Sequence, residues 1–281
     1  MLDVVVRANE PINPTSDTAS SVHIGRGGSG ANIAAELASS GIDVSYVGAV
    51  GNDTTGTLCA NELTGAGVAT NLQLIDAPTG VVVCVINDEG QRAMMTDRGA
   101  NSSLSVAHAL AALDQPFDHL HVSGYCVLDD ATRGVAVAAL GCARELGRTS
   151  SIDVCSVGPL RRVSAGVFLG VARDATMVFA NEEEAMALSG QHDVQLALEV
   201  LGATFREVIV TRGAQGALAR VESINVTVPS MSQHVLDTTG AGDAATGAYL
   251  AARLRGRDVT HALGDAMRSA SNVVGGLGSR G

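Results

Sequence analysis

The sequence has 281 residues, of which 46% are apolar, and it carries a formal net charge of −11. This is enough apolar material for the core of one large α/β domain. The acidic charge disfavours a nucleic-acid partner, whose phosphates would need a basic surface. Every one of the 18 lysine-or-arginine positions carries arginine. A lysine-dependent phosphate loop and Schiff-base chemistry are therefore excluded, and a small-molecule substrate is expected.

The five cysteines are scattered and form no CxxC pair, so the sequence indicates neither a disulfide framework nor a zinc site. They are expected to be small buried side chains in a reducing compartment. The most apolar stretch, residues 134–143, is too short to cross a bilayer. We therefore expect a cytoplasmic protein with no membrane partner.

The first 26 residues are extended in character, with prolines at positions 11 and 14. From about residue 30, helix-like and strand-like segments alternate, beginning with ANIAAELASS, VSYVGAV and TTGTLCANELTGAG. Such alternation predicts a mostly parallel sheet covered by helices. Residues 81–96 break the rhythm, since they predict two strands around an Asn-Asp-Glu-Gly turn. With the first 26 residues they are expected to form a small β appendage.

The alternation continues through VAVAALGCAREL, SIDV, MVFA, EEEAMALS and EVIVT. A second hairpin is predicted at ALARVESINVTV, and two helices follow Gly240. There is no linker or internal repeat. The sequence thus predicts one α/β domain over residues 1–281, with helices on both faces of the sheet.

A glycine-rich segment, DTTGAGD from Asp237 to Asp243, lies directly before a strong helical pattern. Free backbone N–H groups at a helix start bind anionic oxygens, and glycine lets a phosphate approach the backbone. Asp243, at the rim of such a cradle, could accept the proton of an attacking hydroxyl. The alternative is that this aspartate only caps the helix.

A second glycine-rich segment, GGSGANIA, spans residues 27–34. Gly25, Gly27 and Gly30 also satisfy GxGxxG, the dinucleotide-binding pattern, with Asp43 and Asp53 as candidate ribose ligands. That pattern is weak alone. A dehydrogenase would leave DTTGAGD unexplained.

The two segments together resemble the N- and C-terminal signatures of the PfkB, or ribokinase-like, carbohydrate kinases. The resemblance implies a ribokinase-like fold with Asp243 as catalytic base. It also implies that an anion hole forms from Gly240, Ala241 and Gly242. The residues it assigns to substrate binding are Asp3, Gly28, Ser29 and Asn32.

Two segments between the signatures also resemble this family. MVFANEEEAMALSG is similar to a strand followed by an NxxE motif, Asn181 to Glu184, which implies binding of ATP and of hydrated Mg²⁺. Taken alone, Asn181 is more simply a helix cap. EVIVTRGAQGAL is similar to the strand and turn that meet ATP. It contributes Thr211, Gly213 and Gly216, although a plain β-turn also uses such glycines.

Arg98 follows the predicted hairpin and is a candidate clamp for a carboxylate or phosphate, with a solvated turn arginine as the alternative. The resemblance implies a monovalent cation, K⁺, near Asp237 and Thr239. It also implies a β lid, formed by residues 1–26 and 76–99, that closes over the substrate and supplies a homodimer interface.

Two expectations concern single segments. His119 and His121 would share a strand face and, without a third ligand, are predicted to be packing residues. Relatives place a full apolar strand before the aspartate matched by Asp3, whereas only Met1 and Leu2 precede it here. A shortened first strand is therefore expected.

These observations predict transfer of the ATP γ-phosphoryl group to a hydroxyl of a sugar or sugar acid. A sugar acid, 2-keto-3-deoxygluconate, is favoured if Arg98 faces the pocket. One alternative is a nucleoside kinase, although three tyrosines, four phenylalanines and no tryptophan leave few rings to stack on a base. Another is a catalytically silent sugar-binding relative.

Overall fold

The computed structural model describes residues 1–88, 92–231 and 240–274. The strands are β1 Leu2–Ala8, β2 Ser20–Arg26, β3 Ser45–Gly51, β4 Ala69–Ile75, β5 Thr79–Ile86, β6 Arg92–Gly99, β7 His119–Val122, β8 Thr149–Asp153, β9 Met177–Asn181, β10 Glu207–Thr211, β11 Ala217–Val221 and β12 Ile224–Val228. The helices are α1 Ser29–Ser39, α2 Thr54–Gly65, α3 Val106–Leu113, α4 Tyr125–Leu128, α5 Arg133–Glu145, α6 Val157–Val163, α7 Ala165–Ala172, α8 Glu182–Ser189, α9 Val194–Gly202, α10 Ala241–Leu254 and α11 Val259–Val274. Two 3-10 turns lie at Ala100–Ser103 and Gly213–Gln215.

A six-stranded sheet runs through the centre of the molecule in the order β12-β11-β10-β9-β8-β7. Strands β7 to β10 are parallel, and the hairpin β11-β12 extends the sheet in antiparallel fashion. Its buried strands are short apolar runs, as parallel strands covered on both faces require. Alternate residues face two separate cores. One lies against α5 to α9, and the other lies against α1, α10 and α11.

A separate two-stranded parallel ladder joins β3 to β4 across helix α2. A third sheet has four strands in the order β2-β1-β5-β6. It is built from the segments predicted to form the lid. Strand β1 pairs with β2 over Leu2–Ala8 and with β5 over Leu2–Arg7, so it is a full strand of this sheet. Whether the sheet closes over a substrate stays a prediction.

Helices α1 and α10 pack closely, and this contact builds the candidate site. Gly247 lies where they meet, because a Cβ atom there would stand 2.6 Å from Cβ and Cγ of Glu36 and 3.2 Å from the carbonyl oxygen of Ile33. The missing side chain lets the N-terminal turn of α1 lie beside that of α10.

In the part of the chain that the structure describes, no helix combines the length and the apolar character needed to cross a membrane.

Candidate active site

The carboxyl ends of the parallel strands meet at one edge of the six-stranded sheet. Asp153 ends β8, Asn181 ends β9 and Thr211 ends β10. The N-termini of α1 and α10 reach the same edge, since hydrogen bonds join Ser29 of α1 to both Asp153 and Asp243. In open α/β sheets this edge is where ligands bind.

Asp243 lies in the first turn of α10 but does not cap it. The helix begins at Ala241, the residue before it is Gly240, and no side chain caps its N-terminus. Instead the Asp243 carboxylate accepts hydrogen bonds from Ser29 Oγ at 2.7 Å and Asn32 Nδ2 at 2.9 Å. Burial raises the pKa of Asp243 to about 6, although these two hydrogen bonds act in the opposite direction. A carboxylate held this way is a general base suited to neutral pH.

Asn32 is oriented by a buried arginine. Arg26, only 7% exposed, donates through Nη1 to the amide oxygen of Asn32 at 3.1 Å and to the carbonyl oxygen of Ala31 at 3.3 Å. Because the amide oxygen is engaged, the amide nitrogen points to Asp243. The buried Arg26 thereby fixes one donor to the base.

Asp153 is a second buried carboxylate beside Asp243. It accepts hydrogen bonds from the backbone N–H of Gly124 at 2.8 Å and from Cys155 Sγ at 2.9 Å, and its Oδ2 lies 2.9 Å from Ser29 Oγ. Burial opposes its ionisation, but His121, Cys155 and the Gly124 N–H more than offset this, and the pKa of Asp153 lies below its usual range. Asp153 is therefore a stable anion next to the candidate base.

The predicted substrate loop lies against Asp3 of β1. The Asp3 carboxylate covers Gly27 so closely that a Cβ atom on Gly27 would overlap it, at 1.8 Å from Oδ1. Gly28 precedes α1 with a φ of 93°. Asp3 and the start of α1, with Gly28, Ser29 and Asn32, thus lie in one region of the structure. Their part in substrate binding stays a prediction.

Arg98 is neither solvated nor free. Its Nε lies 2.7 Å from Asp129 Oδ2, and its guanidinium stands 5.7 Å from the ring centroid of Tyr125. Asp129 also accepts a hydrogen bond from Ser102 Oγ at 2.8 Å. Burial raises the pKa of Tyr125, and the nearby Cys155, Asp153 and Asp243 raise it further, which places the Tyr125 ring at the border of the site. Arg98 therefore lies over a ring beside the site, but its charge is already paired with Asp129.

Asn181 and Glu184 form a capping box at the start of α8. Asn181 Oδ1 accepts from the Glu184 N–H, and Glu184 Oε2 accepts from the Asn181 N–H, both at 2.9 Å. The helix-cap interpretation of Asn181 is therefore correct, but it does not exclude the other role. Burial raises the pKa of Glu184 to about 7, with the Asp153 charge contributing. Thr211 lies opposite Asn181 in the β9–β10 ladder.

The two predicted ATP glycines differ. At Gly216, with φ 84°, a Cβ atom would stand 2.0 Å from the carbonyl oxygen of Val228, so the β11–β12 hairpin itself requires glycine there. Gly213 has φ 53° and open space around it. Close packing therefore explains the glycine at position 216 but not the glycine at position 213.

Asp237 and Thr239, the predicted cation ligands, lie outside the described residues. Gly240 is described and adopts a left-handed conformation with φ 79°, followed by Ala241 and Gly242 in the first turn of α10. Among the described residues, no group of three or more His, Cys, Asp or Glu side chains could hold a metal ion.

His119 and His121, predicted to be packing residues, also make polar contacts, while the His121 ring packs edge-on against Phe179. They share a strand face as expected, but both rings contact Ser151 Oγ at 2.8 Å. The partner lies on the neighbouring strand, about 30 residues away along the chain.

The dinucleotide-binding interpretation of GxGxxG is wrong. Strand β2, which precedes GxGxxG, pairs antiparallel with β1 and leads no parallel βαβ unit. Asp53 accepts hydrogen bonds from the N–H of Gly56 and from the N–H and hydroxyl of Thr79, while Asp43 is exposed.

Sequence reasoning assigned no role to Asp153, Tyr125 or Arg26. An acidic residue at the end of the apolar strand SIDV could have pointed to Asp153, since such strand ends meet at the sheet edge. No local signal identifies Tyr125 or Arg26, whose roles depend on contacts between distant segments.

Comparison with known proteins gives a family and relatives that are all described as kinases. The model of the family described as pfkB family carbohydrate kinase matches residues 1–281. The chain is 30% identical over 285 residues to an ATP-dependent ribose-1-phosphate kinase of Halopiger xanaduensis, covering 99% of this chain and 90% of that one. It is 29% identical to the ribokinase of Bacillus subtilis, covering 91% of this chain and 83% of that one.

Solved structures show the same fold. An adenosine kinase from Sinorhizobium meliloti superposes with a TM-score of 0.88 at 24% identity, covering 100% of this chain and 93% of that chain. An E. coli protein described as a ribokinase II, in complex with ATP and Mg²⁺, gives a TM-score of 0.87 at 22% identity, covering 99% and 92%.

The protein is therefore an enzyme of the carbohydrate kinase class. Within that class the chain belongs to the pfkB family. The family predicted from the two glycine-rich signatures and the ribokinase-like α/β fold are both confirmed.

Proposed function

We propose that the enzyme transfers the γ-phosphoryl group of ATP to a hydroxyl of a neutral sugar, with Asp243 as the base. The observation that carries this proposal is the arrangement of Asp243. It lies at the N-terminus of α10, is held by Ser29 and Asn32, and has a pKa raised to about 6. Deprotonated at neutral pH, it is basic enough to remove a proton from a bound hydroxyl.

The chain's own residues act on the acceptor and on the transferred group. Asp243 takes the hydroxyl proton as the sugar oxygen attacks the γ-phosphorus and the bond to the leaving oxygen of ADP breaks. The backbone N–H groups of the Gly240–Gly242 turn donate to the phosphoryl oxygens, where the helix dipole also favours negative charge. ATP, when bound, supplies the phosphoryl group.

The edge formed by Asn181, Glu184 and Thr211 fits a nucleotide with Mg²⁺. Among the described hydrogen bonds, Glu184 uses only Oε2, which leaves Oε1 for a water of hydrated Mg²⁺. Mg²⁺ keeps several waters and takes few protein carboxylates beside phosphates, so a site without a carboxylate cluster suits it. The E. coli relative in complex with ATP and Mg²⁺ supports the same cofactors.

The charges of the site favour a neutral sugar over a sugar acid. Burial raises the pKa of both Asp243 and Glu184, and the nearby charge of Asp153 raises both further. Arg26 is engaged by Asn32, and Arg98 is paired with Asp129. A substrate carboxylate would have to compete for these arginines, whereas sugar hydroxyls can donate to the carboxylates directly.

An ADP-release assay with Mg-ATP across neutral sugars, ribose 1-phosphate, sugar acids and nucleosides tests this proposal. Turnover with a neutral sugar and with no other class is the expected result. Preference for nucleosides would favour base stacking on Tyr125, whose ring already stacks with Arg98. Sugar binding by calorimetry without turnover by the folded, ATP-binding protein would contradict the kinase proposal and favour a silent binding protein.

We further propose that the four-stranded sheet forms a homodimer interface. The register places Ile24, Val4, Val83 and Met95 in one row across its strands. Ile24 and Met95 are each 55% exposed, and Val22 is 59% exposed. Exposed apolar patches of this kind are typical of interaction surfaces.

Sedimentation velocity tests this, with Ile24→Glu as the disrupting change and Ile12→Glu, at an exposed position between β1 and β2, as the control. A dimer that Ile24→Glu alone converts to monomer supports the proposal, and a wild-type monomer contradicts it.

A cytoplasmic location is also kept as a proposal, supported by five cysteines that are all free thiols.

A further inference from the structure

A row of polar side chains runs along one face of β7 and β8, from the surface to the candidate site. His119 Nδ1 lies 2.9 Å from Thr149 Oγ1, and His119 Nε2 lies 2.8 Å from Ser151 Oγ. Ser151 Oγ lies 2.8 Å from His121 Nδ1, and His121 Nε2 stands 3.6 Å from Asp153 Oδ1. The row begins at Thr149, which is exposed, and ends at Asp153, which is buried.

This row is costly to bury, and apolar packing does not explain it. Ser151 has no exposed surface, and the side chains of His121 and Asp153 are only 10% and 11% exposed. Burial lowers the pKa of His119 to about 3, so its ring is neutral. Buried polar groups are normally replaced by apolar ones unless their hydrogen bonds serve a purpose.

Ser29 connects the row to the candidate base. Its Oγ lies 2.7 Å from Asp243 Oδ1 and 2.9 Å from Asp153 Oδ2. A hydroxyl has one hydrogen to donate, so it can donate to only one of these carboxylates at a time. The second contact is a hydrogen bond when the other carboxyl group carries a proton. The two carboxyl groups are therefore linked through a single hydroxyl.

We infer that this row is a proton relay, which carries the proton removed from the substrate away from Asp243 to the surface at Thr149. The inference rests on the proposed function, because phosphoryl transfer from ATP to a hydroxyl releases one proton per turnover. Asp243 is only partly exposed, and a sugar bound against it would cover it further. The relay lets the base be reset without release of the ligands.

Protonated Asp243 gives its proton to Ser29 Oγ while the Ser29 hydrogen passes to Asp153. Asp153 Oδ1 and His121 Nε2 are 3.6 Å apart, beyond hydrogen-bond distance, so the His121 ring must turn toward Asp153 before Nε2 takes its proton. The Nδ1 proton of that ring then passes to Ser151. Ser151 gives its hydrogen to His119 Nε2, whose Nδ1 proton leaves through Thr149 to water. One proton enters and one leaves, and rotation of the hydroxyls with tautomer exchange of the rings restores the starting state.

Other ionisable groups border the relay without joining it. Those with an electrostatic effect on Asp243, Asp153 or their neighbours are Tyr125 of α4, Cys155 after β8 and Glu184 of α8. Burial raises the pKa of Cys155 and of Tyr125, so both stay protonated near neutral pH. Neither can accept the proton that Asp243 releases.

Ser151→Ala is the sharpest test, since it interrupts the row at a residue that Asp153 and His121 separate from Ser29. Ser150→Ala is the matched control, because Ser150 is equally buried on β8 but faces the other side of the sheet. For each variant, kcat and KM are measured at low and high imidazole concentration, and stopped-flow with a pH-indicator dye follows proton release. Circular dichroism checks folding, and His119→Gln, which keeps a polar side chain but cannot relay, is the second interruption.

At low buffer concentration, Ser151→Ala and His119→Gln are expected to lower kcat by about three- to tenfold, a fraction of the usual effect of a general base. KM should be unchanged, proton release should lag behind ADP formation, and added imidazole should restore kcat. Ser150→Ala should match the wild type. Variants equal to wild type at every buffer concentration, or a loss that imidazole does not restore, would overturn the relay alone. Absence of turnover by the unsubstituted protein overturns the proposed function and the relay with it.

Discussion

The two ends of helix α10 hold buried carboxylates in opposite ways. At its N-terminus Asp243 is held by a hydroxyl and an amide, both neutral. Toward its C-terminus Arg253 donates to Glu207 of β10 through Nε at 3.2 Å and Nη2 at 2.5 Å, and Tyr249 donates from its hydroxyl at 2.9 Å. Glu207 is only 3% exposed.

The difference shows how one helix separates stability from reactivity. Glu207 has a cation in contact, and hydrogen bonding to it raises the pKa of Arg253. Asp243 has neutral donors only, and burial keeps its pKa high. A paired carboxylate anchors the helix to the sheet, whereas the unpaired one remains basic enough to react.

Asp243→Asn should have the largest effect on this comparison. It removes the base but keeps a side chain of the same size, so kcat should fall by about 10²- to 10⁴-fold. Binding of ATP and sugar should change little. Steady-state kinetics and titration calorimetry measure both quantities, and loss of the folded state would instead show that Asp243 is mainly structural.

Arg253→Leu should break the anchored end. It leaves Glu207 buried without its cation, so the free energy of unfolding should fall by about 3 to 5 kcal/mol. The control is Arg268→Leu in α11, whose ion pair with Asp265 is exposed and should contribute below about 1 kcal/mol. Urea denaturation measures both changes. Equal losses in the two variants would show that burial of the pair is unimportant.

Gly247→Ala should disturb the reactive end from a distance. The new methyl group meets Glu36 at 2.6 Å, so α1 must move away from α10, at a cost of about 1 to 3 kcal/mol. Ser29 and Asn32 move with α1, and kcat should fall. Gly264→Ala in α11 has open space around it and should stabilise the helix by up to about 1 kcal/mol. Thermal unfolding and kinetics of the two variants make the comparison.

The smallest expected effect is a pH dependence of stability. Because the folded-state pKa of Asp243 is raised from 3.8 to about 6, ionisation opposes folding. Its stabilising contribution is complete below pH 3.8 and is lost as the pH rises through about 6. Asp243→Asn should therefore have a higher Tm than wild type at pH 7.5, and the gap should close near pH 4.

The same pKa predicts that wild-type kcat falls as the pH drops below about 6, since Asp243 then carries a proton. Glu184, with a pKa near 7, titrates in the same range, so Glu184→Gln is the control that isolates Asp243. The ionisable groups around Asp243 are Asp153, His121, Tyr125, Cys155 and Glu184. A Tm gap that is constant with pH would contradict the assignment.

Much of the fold could be predicted because its signals are local. The alternation of apolar runs and helical patterns sets the order of strands and helices, and the glycines before α1 and α10 mark the loops that carry Ser29 and Asp243. The polar row along β7 and β8 could not be predicted in this way. His119 contacts Ser151 only because β7 and β8 are neighbours in the sheet. The order of strands in a sheet cannot be predicted from the residues of either strand alone. Arg26 and Asn32 show the same limit, since the arginine's role depends on how β2 enters α1.

The four-stranded sheet is joined to the rest of the chain by three crossings, at Gly27–Gly28, at residues 76–78 and after Gly99. All three connections leave the sheet at the same end, so the sheet is attached to the rest of the molecule along that end alone. One of the crossings runs directly into Ser29, whose hydroxyl contacts both Asp153 and Asp243. Any change in the position of the sheet at this end would therefore reach the hydrogen bonding of the base through only two residues, Gly27 and Gly28.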